Sequence, residues 1–465
     1  MAIFQAIKLL KIGSLNSGRG LSAEQQQQVV GFPAFWVRYV FYSKSLLLKV
    51  GTVLVKLKGF QKLTLTGTAL TSWLAALQIG KPKEETVPLS QALGRVLSED
   101  LTAKEDLPRW DKSAMDGYAV KSADLAGATQ FKPAALQLTD AAEVGAKQAK
   151  QIWTGNPIPK GADAVIMLEN TKKHNGTLEV WSQLAPGDNI SKRGEDTKQG
   201  TTPVRAQTRL NPYHLGLAAA LGYTRLKVAS QPQVAILATG NEIAEIGTER
   251  KENQIFDSNK TMISAMCHEL GAKTTDLGIA KDNLEEIAQK IQTALKTSDA
   301  VITTGGTSVG GLDLVPDAVN KLGKPGVTAH GMALRPAMPT ALGILEGKPV
   351  LILSGNPVAA VIGFEVFGRP LISRMLGMTK TEPRPIVTAK LAKRITSALG
   401  RKTYVRVKVT EKNGEVFAEP VSAKGSGAIS TMTQSNGYVV VPENREGVTE
   451  GETVTVQMFA NLEEA

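Results

Sequence analysis

Between residues 232 and 378, short apolar runs alternate with helical patterns, the signature of βαβ units around a parallel sheet. "QVAILATGNE" predicts a strand over Val234–Leu237, "AVITTGG" a second and "PVLILSGNP" a third. Two helices lie between the first two. "DSNKTMISAMCHELG" offers caps at 257–259, apolar Met262, Ile263, Met266 and Leu270, and Gly271 as a stop. "DNLEEIAQKIQTAL" places Asn283 at the N-cap with Glu286 three residues on, a capping box, and Leu284, Ile287, Ala288, Ile291 and Leu295 on one face.

Other stretches follow different periods. "RLNPYHLGLAAALG" predicts a helix that starts after Asn211-Pro212 and stops at Gly222. Residues 153–171 carry the Pro/Gly punctuation of a β-rich module. Beyond about residue 380 the pattern alternates, and "TYVRVKVTEKNGEVFAEPV" predicts two strands around a type I′ turn at Asn413-Gly414. A small all-β C-terminal domain is the expectation.

The three strands of the α/β region end alike: Thr239-Gly240, Thr304-Gly305-Gly306 and Ser354-Gly355-Asn356. In open α/β sheets, ligands bind outside the carboxyl ends of the strands. Glycine lets backbone amides approach an anion, hydroxyls donate to it, and acids can hold a hydrated Mg²⁺ that bridges phosphates. Glu242, Asp282 and Asp313 lie next to these ends. A lone glycine there would be a tight turn; three alike at one sheet edge predict an anion site. "ITTGGTSVGG" matches neither GxxxxGK[ST] nor GxGxxG, so the common nucleotide motifs do not account for it.

Composition narrows the picture. A chain of 465 residues with 42% hydrophobic content fits three or four domains. One cysteine, Cys267, excludes a disulfide framework and suits a reducing cytoplasm; its place in a helical pattern predicts a core position. Four scattered histidines, without HExxH or CxxC, argue against structural zinc. The net charge of +11 is concentrated: residues 1–62 hold nine Lys/Arg and only Glu24 as an acid, +8, leaving +3 for the other 403 residues. No basic stripe interleaves with aromatics, so nucleic acid is not an expected partner. Arg38, Lys44 and Lys49 interrupt the apolar stretch near the start, which argues against a membrane span. An extension or an upstream start codon is favoured there over a helix lying on a membrane surface.

Several motifs carry no periodicity. They include SAMDGYAV, TGNPIPKGADAVIM, KRGED, ATGNEI, IFDSN, GGTSVGGLD and SGNPVAA. In this order, over about residues 58–460, they resemble the molybdopterin molybdenumtransferases, the MoeA / gephyrin E-domain family. The resemblance implies a multidomain α/β and β protein. Its parts would be an atypical extension (1–57), an elongated linking domain (58–108 with 190–231) and an inserted β-rich domain (109–189). A three-layer α/β molybdopterin-binding domain with a mostly parallel sheet (232–378) and a small β-barrel-like domain (379–465) would follow. It implies an enzyme of molybdenum cofactor biosynthesis. Adenylated molybdopterin and molybdate are its substrates, Mg²⁺ its cofactor and AMP a product. A cytoplasmic homodimer whose sites are shared between chains is implied too, with molybdopterin adenylyltransferase and molybdoenzyme acceptors as partners.

By the same resemblance, Asp116, Thr154 and Asp196 serve the molybdate and pyrophosphate side. Glu242 and Asp282 act with Mg²⁺ and the phosphates. Thr239, Gly240, Gly305, Gly306, Ser308 and Asp313 form the pterin-phosphate cradle. Arg335 supplies positive charge, and Ser354, Gly355, Asn356 and Pro357 shape the far rim. The chain departs from the family pattern at Asn241, Asn283, Gly311, Ala337, Met338 and Ser354, mostly by losing charge. A subfamily variant is the expectation, with a tungstate-inserting form as the sharper alternative. A molybdopterin adenylyltransferase would not need the MDGYAV, TGNP and RGED segments. A non-catalytic scaffold of the gephyrin type would not need the acids.

Overall fold

The computed structural model describes residues 63–307, 313–421 and 425–464. The N-terminal extension, Ser308 and Gly311 therefore lie outside the described residues. Residues 64–307 and 314–465 group as one compact unit, and Asp313 falls outside that unit.

The α/β domain is built from β1 (Gln233–Thr239), α1 (Asn259–Glu269), β2 (Lys273–Ala280), α2 (Leu284–Thr297) and β3 (Ala300–Thr304). It continues with α3 (Leu314–Leu322), β4 (Gly326–His330), β5 (Ala341–Leu345), β6 (Lys348–Leu353) and α4 (Pro357–Gly363). Six strands form one sheet in the order β2-β1-β3-β6-β5-β4. The pairings β1–β2, β1–β3 and β3–β6 are parallel; β5–β6 and β4–β5 are antiparallel. The three strands singled out by their apolar runs are thus contiguous within the parallel part of the sheet, which β2 completes.

Both faces of the sheet are covered, which explains why these strands read as continuous apolar runs and not as alternation. Val234, Ile236, Ile302 and Leu351 pack on one side with Ile263 and Cys267 of α1 and Ile362 of α4. Their sequence neighbours Ala235, Leu237, Val301 and Ile352 pack on the other with Ile287, Ile291 and Leu295 of α2 and Val315 and Val319 of α3. The helix Thr66–Ala76 joins the first face: Trp73 is buried there and its Nε1–H donates to the Gly343 carbonyl at 2.9 Å. Burial pushes the Cys267 thiol up to about 12, in keeping with a core position.

Helix ends follow the local signals, with one correction. Asn211 and His214 cap Pro212–Ala220 reciprocally. Asn283 caps α2 by accepting from the Glu286 N–H at 3.0 Å, but the return half of the expected capping box is missing. Glu286 Oε1 accepts from the Lys281 N–H at 3.3 Å instead, because the Asn283 N–H is turned onto the Lys281 carbonyl at 2.6 Å.

Residues 109–189 contain a six-stranded sheet, in which Gly117–Val120 pairs on both sides, with Gln148–Ile152 and Ala164–Met167. A Cβ at Gly117 would lie 1.9 Å from the Ile166 carbonyl oxygen, so only glycine fits. Strands Glu84–Pro88 and Arg225–Ala229 pair antiparallel in the linking region. At the C-terminus the ladder runs Lys402–Lys412, Glu415–Pro420, Ile386–Leu391, Thr453–Met458, Gly437–Val441 and back to Lys402–Lys412, a closed five-stranded barrel. Asn413 (φ 53°) and Gly414 (φ 76°) form its type I′ hairpin turn. Among the described residues no helix is long and apolar enough to cross a membrane.

Candidate active site

The parallel strands β1, β3 and β6 bring their Ser/Thr-Gly ends together. The Gly305 N–H donates to the Leu353 carbonyl at the end of β6 at 3.1 Å. A Cβ on Gly305 (φ 91°) would stand 2.4 Å from the Thr239 carbonyl oxygen; one on Gly306 (φ 65°) would stand 2.5 Å from Val315 Cγ2. Gly355 packs directly against Gly305, whose Cα lies 3.5 Å from where a Gly355 Cβ would be. Thr239 is buried beneath this junction, its hydroxyl donating to the Thr304 carbonyl at 3.5 Å. The glycines let three backbones meet where side chains would keep them apart. Ser354 is buried and its hydroxyl accepts from the Asn356 N–H at 3.3 Å; Pro357 then opens α4 at a position where its missing N–H costs nothing.

The neighbouring loop, after β2, is tied to the loop after β1. The Gly240 N–H donates to the Ala280 carbonyl, and Asn241 and Asp282 exchange backbone-to-side-chain bonds at 3.1 and 3.3 Å. Glu242 and Asp282 are both exposed at this edge. The Glu242 carboxylate folds back over Gly240 (φ 145°), where any Cβ would meet it at 2.7–2.8 Å. This donor set fits Mg²⁺. Mg²⁺ is a hard ion that takes one or two carboxylates and completes its shell with water and substrate phosphates, without an all-protein cage. The two carboxylates lie on loops stitched to each other, and no cluster of three or more His/Cys/Asp/Glu able to hold a metal occurs among the described residues.

A second constellation lies in the β-rich domain. Asp116 precedes strand Gly117–Val120 and Thr154 follows strand Gln148–Ile152, so antiparallel pairing puts them side by side. Asp116 Oδ1 accepts from both the N–H (2.8 Å) and the hydroxyl (2.7 Å) of Thr154. These two bonds hold the Asp116 carboxyl below its usual range. Among the described residues this pair shares no hydrogen bond with the strand-end loops. Asp196 is exposed, and its N–H is fixed to the Leu107 carbonyl at 3.1 Å. The loop that carries it is held by two acids that sequence reasoning had not assigned: Asp111 binds the Arg193 N–H and Lys192, and Asp106 binds Arg193 Nε and the Gln199 N–H. The Arg193 N–H and Lys192 lower the Asp111 carboxyl.

Arg335 is exposed on the short strand Leu334–Arg335, which runs parallel to the start of Lys402–Lys412. Among the described residues it has no ion pair, so its charge is available to an anion. The turn after it is locked onto α4: Ala337, at φ 83°, is buried, and its Cβ is 3.8 Å from where a Gly363 Cβ would be.

The IFDSN segment supplies what sequence reasoning missed. Asn259 Nδ2 donates to the Gly355 carbonyl at 2.8 Å, joining α1 to the loop after β6. The Asp257 N–H donates to the Ala244 carbonyl at 3.1 Å, and Asp257 Oδ1 accepts from the Lys260 N–H. Lys260, almost wholly buried, places Nζ 3.0 Å from Glu245 Oε1 and 2.9 Å from Asp276 Oδ1. Burial opposes its charge, but those carboxylates outweigh burial and hold the ammonium above its usual range. Burial raises the Asp257 carboxyl. The only local signal was the run of capping residues; the long-range contacts have none.

Three family models match in chain order. The MoeA N-terminal region (domain I and II) matches residues 66–222, the probable molybdopterin binding domain residues 235–374, and the MoeA C-terminal region (domain IV) residues 388–459. A putative molybdopterin biosynthesis protein of Methanocaldococcus jannaschii is 38% identical over 81% of this chain and 92% of its own length. The molybdopterin molybdenumtransferase of Staphylococcus aureus (strain COL) is 35% identical over 80% of this chain and 90% of its own. A crystal structure of the molybdopterin biosynthesis MoeA protein of Pyrococcus horikoshii superposes with a TM-score of 0.69 at 32% identity, covering 86% of this chain and all of that one.

Proposed function

The chain belongs to the MoeA family of molybdopterin molybdenumtransferases, enzymes of molybdenum cofactor biosynthesis, and from that premise we propose that it hydrolyses adenylated molybdopterin with Mg²⁺ and inserts molybdate into the dithiolene, releasing AMP. The observation that carries this reading is the junction of strand-end loops at Thr239, Gly305 and Gly355, flanked by Glu242 and Asp282.

Hydrolysis of a phosphate anhydride demands positioning and charge stabilisation more than covalent help. The glycine-lined loops bring backbone close to the phosphate-bearing end of the substrate, and Arg335 adds positive charge. Glu242 and Asp282 would hold Mg²⁺, which when bound neutralises and orients the phosphate oxygens. Water adds to phosphorus as the anhydride P–O bond breaks, and AMP leaves.

Asp116 works at the oxyanion. Thr154 occupies Oδ1, so Oδ2 can accept the two dithiolene thiol protons one after the other as the two Mo–S bonds form. It passes both in turn to one oxo ligand of molybdate, whose bond to the metal breaks as it departs as water. Asp196 lines the same half. The reading also has the two halves of each site contributed by different chains of a homodimer, the Asp116–Thr154 pair of one chain facing the strand-end loops of the other.

The test is AMP release from adenylated molybdopterin and Mg²⁺, with molybdate, with tungstate, or with neither. Oxyanion-dependent release is expected. Release only with tungstate would reassign the oxyanion, and no release with either would overturn the reading.

A further inference from the structure

Asn259 lies at the first position of α1, 7% exposed, and its amide reaches across to the loop after β6. Its surroundings form a closed circuit. The loop after β1 is bonded to the start of α1 by Asp257 N–H to Ala244 O and by Lys260 Nζ to Glu245. Asn259 Nδ2 then binds the Gly355 carbonyl, Gly355 rests on Gly305, and Gly305 rests on the Thr239 carbonyl at the end of β1. Every other junction of the circuit is a backbone packing contact, a backbone hydrogen bond or an ion pair with multiple partners. Two side-chain bonds hold the Gly355–Asn356 peptide: the Ser354 hydroxyl, from within the same loop, accepts from its N–H at 3.3 Å, and the Asn259 amide, which alone of the two comes from another element, donates to its carbonyl at 2.8 Å.

We propose that Asn259 is a positioning residue for the phosphate-binding loops: its amide sets the orientation of the Gly355 peptide and hence of the 354–357 rim against Gly305. The backbone that carries Asn259 is fixed, since the flanking Lys260 is pinned by Glu245 and Asp276 and the helix that Asn259 starts buries Ile263 and Cys267 fully. A buried side-chain donor held this way orients a peptide without internal freedom, whereas a flexible rim would have to be ordered by the substrate at each binding event. The remaining amide oxygen, Oδ1, is buried and has no hydrogen-bond partner among the described residues, so the amide's burial is not explained by a satisfied local cap.

The inference rests on the proposed reaction for its kinetic consequence but not for its structural one, and two measurements on the full chain separate them. Asn259→Asp is isosteric and removes the donor; Asn259→Ala removes the group. In the absence of substrate, amide hydrogen exchange of the 354–358 segment should speed up by about tenfold in both variants, while exchange in β1 and β3 stays at the parent level. In oxyanion-dependent AMP release, KM for adenylated molybdopterin should rise and kcat fall by about tenfold or more, with KM for molybdate unchanged. A merely structural role would lower the active fraction and leave both KM values where they were. Unchanged exchange at 354–358 in the isosteric variant overturns the proposal, as does an unaltered KM for the adenylate. If the parent releases no AMP, the reaction fails while the exchange result still decides the role of Asn259.

Discussion

Asn241 and Asp282 hold each other: the N–H of each residue donates to the side-chain oxygen of the other, at 3.1 and 3.3 Å. The loops after two adjacent parallel strands are thereby joined beside Glu242, and the orientation of one carboxylate depends on a neutral amide in the neighbouring loop. Asn241→Ala removes the bond that its side-chain oxygen accepts from the Asp282 N–H, keeps the bond from its own N–H to the Asp282 carboxylate, and leaves no buried orphan, since both residues are exposed. AMP release should fall by about tenfold while the melting temperature stays within a few degrees of the parent. An equally active variant would show that the loops are aligned without the Asn241 side chain.

Asp116→Asn keeps the shape of the side chain and removes the proton-accepting carboxylate. Insertion should fall by about two orders of magnitude with the circular dichroism spectrum unchanged. Full activity would remove Asp116 from the chemistry.

The pH dependence of the same group has a definite sign. The Thr154 N–H and hydroxyl depress the Asp116 carboxyl, so what depends on its ionised form is complete above the ordinary carboxylate range and is lost only as pH falls through the lower, folded value. Thr154→Val removes the hydroxyl bond, and the acidic limb of the activity profile should move to higher pH. A limb that stays in place would assign it to another group.

Sharing of sites between chains has a numerical test. Asp116→Asn and Asp282→Asn are each expected to be inactive alone. After mixing and subunit exchange, about half the dimers are heterodimers with one intact site each, so about a quarter of parental activity should return. No recovery after demonstrated exchange would place both residues in one chain's site.

Gly305→Ala tests the backbone junction. With φ at 91° and a Cβ position 2.4 Å from the Thr239 carbonyl oxygen, the substitution should cost about 2–3 kcal/mol and lower the denaturation midpoint. An unchanged midpoint would mean that the loops can separate freely.

How far the sequence reached can be judged residue by residue. The strands at 233–239, 300–304 and 348–353, the Asn413-Gly414 hairpin and the core place of Cys267 were legible because each depends on local patterning or on turn geometry. That the three Ser/Thr-Gly ends sit together was also open to inference, since parallel strands of one βαβ sheet end on the same edge. The motifs then pointed to the family, with candidate residues on the two constellations that the fold builds.

What the tertiary structure alone decided lies in contacts with no sequence period. Glu286 turned from Asn283 to Lys281 because the backbone before α2 competes for the same donor. Trp73 finds its partner 270 residues away at Gly343. The barrel closes only when Lys402–Lys412 pairs on both edges. Asn259 could be read as a helix cap but not as the anchor of Gly355, 96 residues on. Capping preference is set by a residue's own backbone, so it leaves a trace in the sequence. The destination of a side-chain amide is set by which loop the folded sheet brings within 3 Å.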